Sequence, residues 1–96
     1  MKLEEIKLYL KIDGADEDSL LESLKLAAED YLDSAGIKKN YEKNTYGLAI
    51  KLLISHWYTN RSISYENKSQ DQIPFGIRAL IQQLQLSDLR DKSENI

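Results

Sequence analysis

Residues 46–58, YGLAIKLLISHWY, constrain this chain more than any other stretch. Leu48, Ala49, Ile50, Leu52, Leu53, Ile54, Trp57 and Tyr58 put apolar groups on most sides of a helix. A helix that is apolar nearly all round is packed by neighbours on several faces. The segment is therefore the centre of a helical bundle, with Thr45 or Asn44 as its N-cap. The chain has 96 residues, which fits one domain with a thin core, here 1–96. In so small a domain, part of this apolar surface is also available to another subunit.

Three further helices surround that centre. In "LEEIKLYLKI", Leu3, Ile6 and Leu10 share one face. Glu4 and Glu5 sit in the first turn, where the helix dipole favours negative charge, and Asp13-Gly14 supplies the stop. The second segment, "DEDSLLESLKLAAEDYLDSAG", starts with Asp16 as N-cap and ends at Gly36. Leu20, Leu21, Leu24, Ala27, Ala28, Tyr31, Leu32 and Ala35 form its stripe, and the pair Ala27 and Ala28 admits a close neighbour. "IKKNYEKN" then makes a polar connection to the central helix. Pro74 opens the last helix, where its missing N–H breaks no intrahelical bond. Ile77, Leu80, Ile81 and Leu84 continue it. The fold class is all-α: a small bundle of about four helices with a long loop between helices three and four. That loop, residues 60–73, is too polar to join a core, and loops of this length in compact domains are functional or disordered. Its "SISY" has the pattern of a short strand. Residues 87–96 read as a flexible tail.

Composition removes several classes of function. There is no cysteine, so disulfides, thiolate zinc sites and a cysteine nucleophile are excluded. The opening "MKLEEIKLYLKID" alternates charged and apolar residues, unlike a signal peptide, and no apolar run reaches membrane-spanning length. The net charge of -3 is unevenly spread: residues 1–36 carry -6 and residues 37–96 carry +3. A solvated surface explains this asymmetry. So does head-to-tail contact between copies of the chain.

Motifs for chemistry are missing. The four glycines are isolated, so there is no phosphate-binding loop, and no nucleophile elbow or paired-histidine motif is present. Asp13, Asp16, Glu17 and Asp18 lack the spacing of a calcium loop and read as helix-capping residues. The one histidine, His56, has neighbours that point about 100° away along a helix, so it forms no dyad with Ser55. It reads as partly buried or interfacial. No catalytic residue, metal site or cofactor is expected. Trp57 reads as core. Tyr58 and Arg61 stand between surface and interface, since such residues recur at binding hot spots and arginine also suits a helix C-terminus. Lys38, Lys39 and Lys43 read as a solvated loop rather than a nucleic-acid footprint.

Three stretches give the chain a resemblance. "IKLYLKID", "DSLLESLKLAAEDYL" and "PFGIRALIQQL" occur in the order and character of the head–tail connector (adaptor) family of tailed bacteriophages and prophages, also described as DNA-packaging-like proteins. The closing motif departs at Gln85, where family members often carry arginine; the next arginine is Arg90. The resemblance implies a structural protein of the virion, made in the host cytoplasm, that works without cofactor or catalysis. It implies a ring of subunits below the portal protein that extends the DNA channel and docks head-completion or tail proteins. DNA would pass without specific binding, and no membrane is involved. Glu17, Asp18, Glu22, Tyr58, Arg61, Tyr65, Lys68, Arg78 and Arg90 are the candidates for contact with a neighbouring subunit or the portal. The alternatives are a small helical DNA-binding regulator, reading bases with Arg78, Gln82, Gln83 and Gln85, an enzyme or enzyme accessory subunit, and an adaptor for one unrelated protein.

Overall fold

The computed structural model describes residues 1–60 and 73–94, with side chains through residue 90. Among these residues there are four helices and no strand: α1 (Leu3–Leu10), α2 (Asp18–Ser34), α3 (Asn44–Thr59) and α4 (Phe75–Glu94). The "SISY" segment lies outside the described residues. α3 is central, as its all-round apolarity requires: α2 and α4 pack on it, and α1 lies across α2 and α3. Its Tyr46, Ala49, Ile50, Leu53 and Ile54 are buried against Ile6 of α1, Leu21, Ala28 and Leu32 of α2, and Ile77, Ile81 and Leu84 of α4. Trp57 sits half-buried at the edge of this core, edge-on to Tyr31 with ring centroids 6.0 Å apart.

The ends of α1 and α2 use one device. At the end of α2, the Ile37 N–H reaches the Leu32 carbonyl and the Gly36 N–H reaches that of Asp33, both at 2.9 Å. Gly36 takes the left-handed conformation, φ +86°, that closes this Schellman motif. It delivers Ile37 into the core beside Leu32, so the "polar connection" begins with a buried residue. At the end of α1, Ile12 N–H bonds the Lys7 carbonyl at 2.9 Å and Lys11 N–H that of Leu8 at 3.2 Å. Here Lys11, at φ 61°, takes the left-handed position. The helix thus stops before the expected Asp13-Gly14, and Gly14 serves the following turn with φ +85°.

Other boundaries differ for tertiary reasons. The N-cap positions are Glu17 for α2 and Lys43 for α3, neither with a side-chain cap bond, so Asp16, Asn44 and Thr45 do not cap as expected. Asn40 instead accepts the Glu42 N–H at 3.1 Å and turns the chain into α3. Ala27 is exposed; Ala28 alone faces the neighbouring helix. Ile73, the last residue of the presumed polar loop, is buried in the core. Residues 87–94, expected in a flexible tail, continue α4. Asp88 accepts the Lys38 N–H at 2.9 Å, Lys43 Nζ lies 3.6 Å from its other oxygen, and the same ammonium donates to Ser87 at 2.8 Å. Those contacts hold this part of α4 against the α2–α3 connection.

Candidate functional site

α4 has two apolar faces. Ile77, Ile81 and Leu84 point into the core. On the opposite side the chain places Phe75, Ala79, Gln82, Leu86 and Leu89, spaced four, three, four and three residues apart. That is the spacing of a seam along which one helix packs against another. Nothing among the described residues covers it: Phe75 is 85% exposed, and Leu86 and Leu89 are 62% exposed. Leu86 and Leu89 also line an open, mostly apolar groove of about 520 Å³, whose other wall is Ala35 and Gly36 at the end of α2. Gln85 closes its floor by donating to the Ala35 carbonyl at 2.9 Å.

The candidate contact residues do not gather into one patch. Glu17 accepts the Tyr58 hydroxyl at 2.5 Å, tying the start of α2 to the end of α3. Asp18 pairs with Lys7 of α1 at 2.9 Å, and Glu22 pairs with Lys25 one turn on at 2.9 Å. Glu17 and Asp18 therefore tie α2 to its neighbours, Glu22 pairs within α2, and no side-chain capping bond is found at Glu17. Arg78 and Arg90 are exposed on α4, flanking the outward seam. Arg61, Tyr65 and Lys68 lie outside the described residues.

Polar and phenolic groups cluster at the edge of the core where α2 meets the start of α3. Tyr41 donates its hydroxyl to Glu29, and Lys39 Nζ lies 3.6 Å from the same carboxylate. Burial, reinforced by the hydrogen-bonded Glu29 carboxylate, pushes the Tyr41 phenol well above its usual range. Tyr46 stands edge-on to Tyr41 with ring centroids 5.1 Å apart. Its hydroxyl is buried and has no hydrogen-bond partner among the described residues. Burial first, then the charges of Glu29 and Asp33, push it up to about 12. These groups join α2 to α3, with the Tyr41 hydroxyl taken up by the Glu29 carboxylate. His56 is half-buried at the end of α3, its ring Nδ1 3.3 Å from the Asn60 side-chain nitrogen, and its backbone carbonyl accepts the Asn60 side chain at 2.9 Å and the Asn60 N–H at 3.0 Å. No group of three or more His, Cys, Asp or Glu side chains among the described residues converges on a cation site.

Of the four residues offered for DNA reading, Arg78 and Gln83 are exposed on α4. Gln85 is occupied at Ala35, and Gln82 lies in the apolar seam. Lys43 is held by Ser87 and Asp88, and Lys39 by Glu29, so the lysine patch is largely neutralised within the chain. The outward seam itself is missed by a reading that counts one stripe per helix. Its signal is the regular spacing of Phe75, Ala79, Leu86 and Leu89 around Gln82.

Fold and surface together define a small all-α bundle protein in which one apolar face of α4 is exposed among the described residues. A match to the family described as "Phage gp6-like head-tail connector protein" spans residues 1–85 of the 96, and the chain belongs to that family. It is a phage structural protein, a virion component of a family that is structural rather than enzymatic, whose members contact other head and tail proteins. No curated protein and no solved structure matches the chain. Among the described residues no helix is long and apolar enough to cross a membrane.

Proposed function

We propose that the protein is a repeated subunit of a ring that sits below the portal, lengthens the DNA channel and offers a docking surface to head-completion or tail proteins. The observation that carries this reading is the second apolar face of α4, with Phe75, Leu86 and Leu89 held out to solvent in a chain of the connector family. A large apolar strip on a small soluble domain marks an interaction surface. A ring needs one surface to meet a different surface on the next copy, with a rotation that closes. The net charge of -3 suits a channel that lets DNA slide, because tight phosphate binding needs clustered cations.

Among the nine candidate contact residues, Arg78, Arg90 and Glu22 remain proposed contacts on described helices. Arg61, Tyr65 and Lys68 remain proposed on the character of their sequence. Glu17, Asp18 and Tyr58 act first within the chain, and their part in assembly is proposed only through the helix ends they fix.

The test is native mass by light scattering over a concentration series, alone and with the portal protein of the same phage. A discrete ring, or binding to the portal with matching copy number, is the expected result. A monomer that ignores the portal at every concentration refutes the reading. Salt-sensitive binding to duplex DNA by that monomer would point to the regulator instead.

A further inference from the structure

Resting on the ring reading, we infer that the outward seam of α4 docks on the outward face of α2 of a second copy of this chain. α2 buries Leu21, Ala28 and Leu32, and turns Ser19, Ser23, Leu26, Asp30 and Asp33 away from the core. These five positions repeat the four-three-four-three spacing of Phe75, Ala79, Gln82, Leu86 and Leu89. Both seams run about 21 Å, from the 1.5 Å rise per residue. Their chemistry is complementary. The α4 seam is bulky at both ends and flanked by the exposed Arg78 and Arg90. The α2 face is small at one end, where Ser19 and Ser23 precede Leu26, itself 53% exposed, and acidic at the other, where Asp30 and Asp33 lie. Small residues let helix axes approach, and the pattern suits packing at about 8–10 Å between axes. Asp30 and Asp33 are exposed and carry no ion pair among the described residues. The other α2 acids are engaged: Asp18 with Lys7, Glu22 with Lys25, Glu29 with Lys39. The exposed α2 acids without an ion pair among the described residues therefore lie on the same face that matches α4 in spacing. Two different surfaces of one chain meeting in this way form a heterologous contact, which propagates head to tail and closes when its rotation allows.

Leu26 and Gln82 are the midpoints of the two seams, so they face each other whether the helices run parallel or antiparallel. The chain has no cysteine, which permits a clean test. Leu26→Cys and Gln82→Cys are made as two separate full-length proteins. They are assembled alone or on the portal protein and treated with a bis-maleimide reaching about 10 Å. The expected result is covalent dimer in the mixture and monomer in either protein alone. In a second test, Asp30→Lys with Asp33→Lys should raise the concentration for half-assembly by about tenfold or more, because both lysines lie at one end of the seam and face the arginine there, Arg90 if the helices run parallel and Arg78 if they run antiparallel. Ring-sized particles with no cross-link in the mixture overturn this contact while leaving the ring intact. Equal cross-linking of Gln82→Cys with itself also overturns it, by showing a symmetric α4–α4 contact. A chain that stays monomeric alone and on the portal overturns both the contact and the ring.

Discussion

Tyr46 takes a hydroxyl into the core and gives it no hydrogen-bond partner among the described residues. A buried, unsatisfied hydroxyl costs free energy that an apolar isostere avoids. Tyr46→Phe is therefore expected to be neutral or to stabilise the fold by up to about 1 kcal/mol in urea unfolding at pH 7. Its effect on pH dependence has a definite sign. Tyr46 is pushed up to about 12 in the fold, whereas an unfolded tyrosine ionises near 10. The folded state then holds its proton where the unfolded chain releases it, so stability is full below pH 10 and falls as pH rises from there towards 12. Tyr41, raised in the same direction, adds to this fall. A urea midpoint followed from pH 8 to 11.5 should drop steeply, and less steeply in Tyr46→Phe. Lys11 offers a second single-residue test. It occupies the left-handed position at φ 61°, a conformation that is costly for a side chain bearing a Cβ. Lys11→Gly should raise stability by about 0.5–1 kcal/mol, because the relief of strain exceeds the added freedom of the unfolded chain. A lower melting temperature in this variant would show that the lysine stem contributes more than the backbone strain costs.

Helix identity was legible in the chain because an apolar period marks α2 and all-round apolarity marks α3, and Gly36 ends α2 as its place after Ala35 indicates, although the N-caps of both helices were misplaced. What could not be read depends on contacts far away in sequence. Nothing local makes Lys11 rather than Gly14 the stop of α1; the bond from Ile12, which packs against the core, settles it. Ile73 looks like the end of a polar loop until α4 carries it onto the core. The extension of α4 past Leu84 rests on Asp88 and Ser87 meeting Lys38 and Lys43, some 44 to 50 residues earlier. The candidate site was least legible, because α4 has apolar residues on two faces and each blurs the period of the other. The two faces separate cleanly by mutation. Leu84→Ala on the inner face, with Leu84 2% exposed, should cost about 2–5 kcal/mol. Leu86→Ser with Leu89→Ser on the outer face should change monomer stability by no more than about 0.5 kcal/mol per site while reducing assembly. Equal destabilisation by both variants in dilute solution would show that the outer face is covered by this chain itself.

At the scale of the whole molecule, folding and association are linked. A domain of 96 residues has a thin core and a margin of about 5–15 kcal/mol, while Phe75, Leu86 and Leu89 stay in water. Anything that binds the folded chain and not the unfolded one adds to that margin by mass action. If the outward α4 face meets another copy, the melting temperature must climb with protein concentration. Once most chains are assembled, each tenfold rise in concentration adds up to about 1.4 kcal/mol per subunit. For a domain of this size that corresponds to a shift of about 5–10 °C. The measurement is a set of thermal melts from low micromolar to near-millimolar protein, beside the same series for Leu86→Ser with Leu89→Ser. The natural chain should climb and the variant should stay flat, at the value the natural chain reaches on dilution. A natural chain that is flat throughout excludes self-association over that range, and the portal protein then becomes the ligand for the same titration. A variant that climbs in step with the natural chain moves the contact off α4, because the only apolar surface the substitution removes would then be a bystander to assembly.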